Sequence, residues 1–292
     1  AARRRRARLV TWRQDIFPEI AQALGVKAVQ GPAAAALKAV RTASLRAASA
    51  NVVLSEGMAD RLHRLGAPAE RTHVVPNWID ARAVYPVPPA ENELRRAWGL
   101  EDAFVVMHSG NLGRAHDMRT ILDAALRLRD QRDVRFLFVG GGHLYAKLQR
   151  MAAAQGVGNM LFQPYQPAEK LACSLGAGDV HLSALSPALE GLLVPSKIYG
   201  VAAAGRPILH IGAADGEIAG LAREAGWGQG IQQGDASALA AAVMALRDDA
   251  ERRAAMGRAG RRLAETRFDR AISVDRWCEV LSARPMTERA AA

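Results

Sequence analysis

The chain has 292 residues, 50% of them hydrophobic and 23% charged, a composition that fits a globular protein of two domains and excludes an intrinsically disordered chain. Its net charge is +10, and the surplus lies in residues 1–100, which carry 16 Lys and Arg against 8 Asp and Glu, whereas residues 101–292 carry 23 against 21. The sequence contains no run of about 18 apolar residues, so we expect no helix that spans a bilayer.

The basic first third has two interpretations. It indicates an anionic partner, either nucleic acid or the negatively charged cytoplasmic leaflet of a membrane, or it is an arginine-rich surface in contact with solvent. The two cysteines, Cys173 and Cys278, are far apart and have neither the spacing of a metal site nor that of a disulfide framework. This usage favours a reducing cytoplasm.

Short apolar runs alternate with helical stretches along the chain, which predicts an α/β protein whose parallel sheets are covered by helices. The strands are expected at RLVTW, ANVVLS, RTHVVP, FVVMHSG, RFLFVGGG, NMLFQPY, DVHLSAL, RPILHIG and GQGIQQ. The helices are expected at residues 33–48, 56–65, 117–130, 144–155, 167–176, 196–204, 215–225, 235–247, 249–265 and 268–283.

A proline-rich segment, YPVPPAENE, divides this pattern. Its prolines cannot continue a helix or a central strand, so we place a domain boundary after residue 88. Residues 1–88 then form a first domain, residues 89–266 a doubly wound second domain, and residues 267–292 a C-terminal helix and tail. The first domain has only three of the predicted strands, few for an α/β domain. It is therefore expected to be truncated, or to be small and covered by the last helix.

Two glycine-containing loops follow buried strands. Gly110 and Gly113 come after VVMHS, and Gly140, Gly141 and Gly142 come after FLFV. In a parallel sheet such loops lie at the carboxyl ends of the strands, where free N–H groups and the helix dipole favour phosphate. Each loop alone also fits a plain turn whose glycines allow close packing of strand and helix. Together they favour a phosphorylated ligand.

A third loop, PALEGLLVPSK, leads into an apolar helix. Pro195 suits the start of that helix, and Ser196 and Lys197 fall in its first turn. A cation there opposes the helix dipole by about 0.3 to 1 kcal/mol, which is easier to understand if an anion binds beside it. Glu190 has the chemistry to accept hydrogen bonds from sugar hydroxyls. The alternative is a surface salt bridge between Glu190 and Lys197, worth at most about 1 kcal/mol.

Segments along nearly the whole chain resemble, in order, those of retaining glycosyltransferases of family 4, and most closely the bacterial transferases of the colanic acid and O-antigen type, including N-acetyl-fucosamine transferases. The segments are VTWRQDIFPE, ANVVLSEGMADRL, HVVPNWID, MHSGNLGRAHDMRTILDAA, FLFVGGG, PYQPAEKLACSLGAGDVHL and EGLLVPSKIYGVAAAGRPIL. The resemblance implies a GT-B fold of two facing Rossmann-like domains. It also implies that the C-terminal helix crosses back onto the first domain, with Trp277 and Val280 as candidates for the contact, unless they pack within the second domain.

The resemblance further implies a donor site. The loop from Gly110 to Gly113 would meet the diphosphate, QPYQP would border the base, and Glu190 would contact the transferred sugar. Asn111 and His116 stand where the common pattern has Arg and Lys, and Lys197 and Arg114 are the candidate substitutes. The donor-binding residues expected on this basis are Gly110, Asn111, Gly113, Arg114, His116, Gly141, Gln163, Tyr165 and Ser196.

Two other positions depart from the family pattern. The second Glu, which usually holds the donor ribose, would stand at Ile198 by spacing or at Gly200 by register. The His that commonly precedes Asp in the first domain is replaced by Gln14, a residue that cannot act as a base at neutral pH. Asp15 is then the titratable group at that position. Family members are usually about 100 residues longer at the N-terminus, so a truncated acceptor domain is expected.

The predicted function is transfer of a sugar from a nucleotide diphosphate sugar, with a UDP-sugar favoured, to a lipid-linked or glycan acceptor in cell-surface glycan biosynthesis. Glu190, Lys197 and Asp15 are the expected catalytic residues. No metal, no further cofactor and no nucleic-acid partner are expected. The enzyme would act at the cytoplasmic membrane face, beside an anionic surface. The alternatives are an epimerase of UDP-sugars with the same fold, and a non-catalytic basic protein that binds membrane or nucleic acid.

Overall fold

The computed structural model describes residues 7–283, and packing divides the chain into two compact units. The first unit contains the residues up to Trp78, the loop Ala188–Val194 and the residues from Arg270 onward. The second unit contains Ile79–Pro187 and Pro195–Asp269. Both sheets are parallel, as the alternation of strands and helices predicts.

The division falls before the proline-rich segment, so the boundary expected after residue 88 lies inside the second unit. Two partly exposed arginines of that unit explain the difference. Arg261 donates to the carbonyls of Ala81 and Val84, both at 2.8 Å. Arg206 donates to the carbonyl of Val87, also at 2.8 Å. These hydrogen bonds attach the extended segment to the second unit.

The first unit has a three-stranded parallel sheet in the order β1-β2-β3. Its central strand β2 is buried along its whole length because Ala and Val side chains face the interior on both sides. Ser55 begins α3 by accepting a hydrogen bond from the Met58 N–H. The elements are β1 (Val10–Trp12), α1 (Glu19–Ala23), α2 (Pro32–Ala47), β2 (Ala50–Val53), α3 (Glu56–Arg64) and β3 (Thr72–Val74).

The second unit has a six-stranded, all-parallel sheet in the order β6-β5-β4-β7-β8-β9. Apolar side chains cover both of its faces, which is why its strands read as continuous apolar runs. The elements are α4 (Glu93–Ala97), β4 (Phe104–Asn111), α5 (Met118–Arg127), β5 (Val134–Gly141), α6 (Tyr145–Ala154), β6 (Met160–Gln163), α7 (Leu171–Gly176), β7 (Val180–Ala184), α8 (Lys197–Ala203), β8 (Ile208–Gly212), α9 (Glu217–Glu224), β9 (Gly228–Gln232), α10 (Ala236–Asp248) and α11 (Ala250–Leu263).

The last helix, α12 (Arg270–Ser282), packs on the sheet of the first unit. Val280 is buried in a cluster with Val52 and Val75, and Trp277 packs against the same cluster. The Ser273 hydroxyl donates to the Pro76 carbonyl at 3.3 Å. Within residues 7–283, no helix combines the length and the hydropathy needed to cross a membrane.

Candidate functional site

The sheet of the second unit reverses its strand order between β4 and β7. From this point the chain builds outward through β5 and β6 on one side and through β8 and β9 on the other. In open α/β sheets, ligands bind outside the carboxyl ends of the strands at such a reversal. β4 ends at Asn111, and α8, the next α-helix after β7, begins at Lys197. The loop after β4 and the start of α8 are therefore the expected walls of a ligand site.

Glycines hold the loop after β4 against the loop after β5. Gly110 is paired with Gly140 in the sheet register, and both have positive φ angles, +106° and +140°. A Cβ atom at Gly140 would overlap the Gly110 carbonyl, and one at Gly142 would overlap the Asn111 side chain. Gly140 and Gly142 thus serve packing. Gly113 has more room, since its nearest neighbour would be the Asn111 amide at 3.4 Å.

Lys197 and His116 join the start of α8 to the loop after β4. The ammonium nitrogen of Lys197 lies 2.8 Å from His116 Nε2. An ammonium only donates, so Nε2 accepts and the ring proton is assigned to Nδ1. Nδ1 then donates to the Gly113 carbonyl at 3.0 Å. The Gly113 N–H is directed at the same ring nitrogen, 3.1 Å away, so both polar groups of Gly113 face the imidazole. The remaining Lys197 protons are left for a ligand.

Burial shapes the protonation of these groups. It lowers the pKa of Lys197 to about 8. Burial and the positive charge of Lys197 lower the pKa of His116 to about 4. Burial, followed by the charges of Lys197 and His116, lowers the pKa of His108 well below its ordinary value. At neutral pH the cluster therefore has one charged member, Lys197, in surroundings of low polarity where its attraction for an anion is strong.

Sequence reasoning did not single out His108. This residue lies on β4, is 1% exposed, and its ring meets the rings of His116 and Phe138 with centroids 5.6 and 5.8 Å apart. Its Nε2 atom has no hydrogen-bond partner among the described residues. The signal for it was a lone imidazole within the apolar strand VVMHS. The His108 ring packs against the His116 ring. Because its pKa is lowered, His108 adds no further charge to the cluster at neutral pH.

Three of the predicted donor-binding residues are exposed at the rim of this cluster. They are Asn111, Arg114 and Ser196. Within the described part of the chain, Arg114 makes no hydrogen bond or ion pair, so its guanidinium is available to a ligand. The structure thus brings Arg114 and Lys197 into one unit on either side of the reversal point.

Tyr165 and Gly141 form a surface beside the second glycine loop. The Tyr165 ring is 60% exposed, and a Cβ atom at Gly141 would lie 3.2 Å from its edge. Tyr145, which sequence reasoning did not select, donates its hydroxyl to the Gln163 carbonyl at 2.8 Å and so fixes the segment that leads to Tyr165. Gln163 contributes through its backbone in this contact.

Asp15 and the loop that carries Glu190 belong to the first unit. Asp15 forms an antiparallel bridge with Leu193, and Glu190 precedes Gly191, whose φ of +68° and close approach to the Gly57 carbonyl exclude a side chain. Desolvation raises the pKa of the Asp15 carboxyl. Lys197, only seven residues after Glu190, belongs to the second unit. Among residues 7–283, no group of three or more His, Cys, Asp or Glu side chains could hold a metal ion.

Two protein families match the sequence. The sequence model described as Glycosyltransferase Family 4 matches residues 1–83. The model described as Glycosyl transferases group 1 matches residues 103–249, which is half of the chain. This second match contains all the predicted donor-binding residues as well as Lys197 and Glu190.

Individual relatives agree with these matches. The chain is 32% identical over 154 residues to the colanic acid biosynthesis glycosyl transferase WcaI of Escherichia coli, covering 52% of this chain and 38% of WcaI. It is 26% identical over 226 residues to the glycosyltransferase WbjE of Pseudomonas aeruginosa, covering 77% of this chain and 56% of WbjE. HepE from Anabaena, solved in complex with UDP and glucose, aligns with a TM-score of 0.79 at 20% identity, covering 97% of this chain and 73% of HepE. The chain thus spans about half the length of the curated relatives it matches.

Proposed function

We propose the function of this chain from one premise: the chain belongs to the group 1 glycosyltransferases of family 4. Its fold is the α/β GT-B fold with parallel sheets. On this basis it transfers a sugar from a nucleotide diphosphate sugar to a lipid-linked or polysaccharide acceptor in bacterial cell-surface glycan biosynthesis, with retention of the anomeric configuration. The basic first third would meet anionic lipid at the cytoplasmic membrane face. No resident cofactor or metal is part of the proposal.

The observation that carries the proposal is the position of Lys197. A partly buried ammonium points at the loop after β4, which also carries the exposed Arg114. In glycosyl transfer from a nucleotide diphosphate sugar, negative charge develops on the leaving diphosphate. Fixed donors aimed at that charge stabilise the transition state more than the ground state. Lys197 and Arg114 are the groups we assign to this task.

The proposal assigns roles to three further predicted residues. The exposed Tyr165 ring offers a stacking surface for the base of the nucleotide. The UDP in the HepE complex favours uracil as that base. Glu190 would accept hydrogen bonds from hydroxyls of the transferred sugar, and Asp15, whose pKa is raised, would act on the acceptor side.

Calorimetric titration of the full chain with UDP, GDP and TDP and with their sugars tests the donor site. We expect one nucleotide to bind, and Lys197→Ala to weaken its binding at least tenfold, about 1.4 kcal/mol, because a charge-assisted contact to the diphosphate is lost. Retention is read separately, from the anomeric configuration of the product by NMR.

Lys147→Ala is the matched control, because Lys147 is an exposed lysine of the same unit on α6. Its affinity should stay within twofold of the unmodified chain. Equal affinities for Lys197→Ala and Lys147→Ala would contradict the assignment of Lys197, and no binding of any nucleotide would contradict the donor site as a whole.

A further inference from the structure

The first unit contains a cluster of charged side chains that the proposed function leaves unused. Arg41 on α2 and Glu19 on α1 form a buried ion pair, with 2.5 Å between Nη2 and Oε1 and side chains only 6% and 8% exposed. Arg13, which follows β1, is half-buried, and its Nη2 lies 3.5 Å from the Ser44 hydroxyl. The cluster holds two guanidinium groups and one carboxylate and therefore has a net positive charge.

Much of the hydrogen-bonding capacity of this cluster is unfilled. Nε and Nη1 of Arg41, Nε of Arg13 and Oε2 of Glu19 are buried and have no partner within residues 7–283. Burial and the charge of Arg41 lower the pKa of Arg13, so the two guanidinium groups repel each other. Unmade hydrogen bonds and uncompensated charge are both unfavourable in a protein interior. A bound anion would fill the donors and remove the repulsion.

The cluster also lies at the end of the sheet where ligands bind. The Arg13 N–H donates to the Val52 carbonyl at 2.8 Å, so the residue continues the pairing of β1 with β2 just beyond the carboxyl end of β1. The next residues in the chain are Gln14 and Asp15. An anion held by Arg13 would thus lie next to the segment to which the acceptor-side chemistry is assigned.

We propose that Arg13 and Arg41 bind a phosphoryl group of the acceptor, and that Glu19 Oε2 accepts a hydrogen bond from a hydroxyl beside it. Guanidinium groups match the oxygens of a phosphate, and the unfilled carboxylate oxygen requires a donor next to the anion. The ligand class is a phosphate ester of a sugar or other polyol. This inference rests on the proposed function and assigns to the acceptor a phosphate distinct from the donor diphosphate.

Calorimetry with glycerol 3-phosphate tests the site, with the full chain carrying Lys197→Ala so that the donor site does not compete. We expect saturable binding. Adding Arg13→Gln should weaken it at least tenfold, whereas adding Arg64→Gln, an exposed arginine of α3, should leave it within twofold. Because Arg41 is in a buried ion pair, its variant is Glu19→Gln with Arg41→Gln, which removes both charges and retains an amide pair; it should also lose binding.

Equal affinities in the Arg13→Gln and Arg64→Gln chains, or no binding before either change, would overturn the inference. Nucleotide binding by the chain with Arg13→Gln alone separates the two proposals. If that binding is retained while glycerol 3-phosphate fails to bind the Lys197→Ala chain, the acceptor site alone is wrong. If the unmodified chain binds no nucleotide either, the proposed function fails with it.

Discussion

Lys197 carries its charge in a place where burial opposes it. Its pKa is about 8 in the folded chain against 10.5 for an ordinary lysine. Between these two pH values the unfolded chain binds a proton that the folded chain does not, so stability rises as the pH rises from 8 to 10.5. At neutral pH the charged side chain therefore destabilises the fold, by up to about 3 kcal/mol. Because the charged Lys197 destabilises the fold, a ligand-binding role explains its presence better than a structural role.

Lys197→Met should accordingly stabilise the protein at pH 7, by about 1 to 3 kcal/mol, because it removes a partly buried charge and keeps the apolar stem. The gain should be smaller at pH 9.5, where the folded chain already has a neutral lysine. Urea unfolding at the two pH values measures it. Lys147→Met, at an exposed position of α6, should change the free energy of unfolding by less than about 0.5 kcal/mol. A less stable Lys197→Met chain would identify Lys197 as a structural residue.

At the scale of elements, the loop after β4 and the loop after β5 pack directly against each other. Gly142 has a φ of +118°, and its added Cβ would lie 2.7 Å from the Leu112 nitrogen. Gly142→Ala should therefore lower the free energy of unfolding by at least about 2 kcal/mol and weaken nucleotide binding by displacing the loop that carries Gly113. Gly158→Ala is the control, since a Cβ there meets nothing within 4 Å. Similar unfolding free energies for both variants would show that the loops do not depend on this contact.

The elements themselves could be predicted from the sequence because they depend on local patterns. A buried strand such as FLFV and the helix after it are recognised within a dozen residues or so. The short helices α1 and α4 have too few residues for a period to appear, and they were not predicted. The glycines of the second loop illustrate the limit. The sequence leaves packing and ligand binding open, and only the close approaches of Gly140 and Gly142 to the loop after β4 assign these two glycines to packing.

Contacts between distant residues could not be predicted. His116 is predicted to face the diphosphate in place of a lysine, and the structure adds its contact with Lys197, 81 positions away. The segment before residue 88 joins the second unit through another such contact, because Arg261 donates to the Val84 carbonyl over a separation of 177 positions. The sequence around Arg261 and around Lys197 does not indicate which distant group each side chain contacts. The resemblance to family 4 predicts where the site lies, and the structure shows the hydrogen bonds made there.

At the scale of the whole molecule, buried histidines make the fold sensitive to acid. Burial lowers the pKa of His181 and of His210 to about 4, and both lie in the interior of the larger sheet, on β7 and β8. Between pH 6.5 and 4 the unfolded chain binds protons at these positions and the folded chain does not. The stability they provide is thus complete above pH 6.5 and is lost as the pH falls towards 4.

We therefore expect the free energy of unfolding in urea to fall between pH 6.5 and 4, by up to about 3 kcal/mol for each of these histidines. His210→Asn retains a polar group for the Ser183 hydroxyl, which lies 3.2 Å from Nδ1, and removes one titration, so the fall should be shallower in that variant. His63→Asn, at an exposed position of α3, should leave the slope unchanged. The measurement to compare is the change in the free energy of unfolding with pH, not its value at pH 7. An Asn that packs poorly lowers stability at every pH, whereas the loss of a titrating group changes the slope. If the His210→Asn and His63→Asn chains lose stability in parallel with the unmodified chain, the acid sensitivity has its origin in the carboxylates and not in the interior of the sheet.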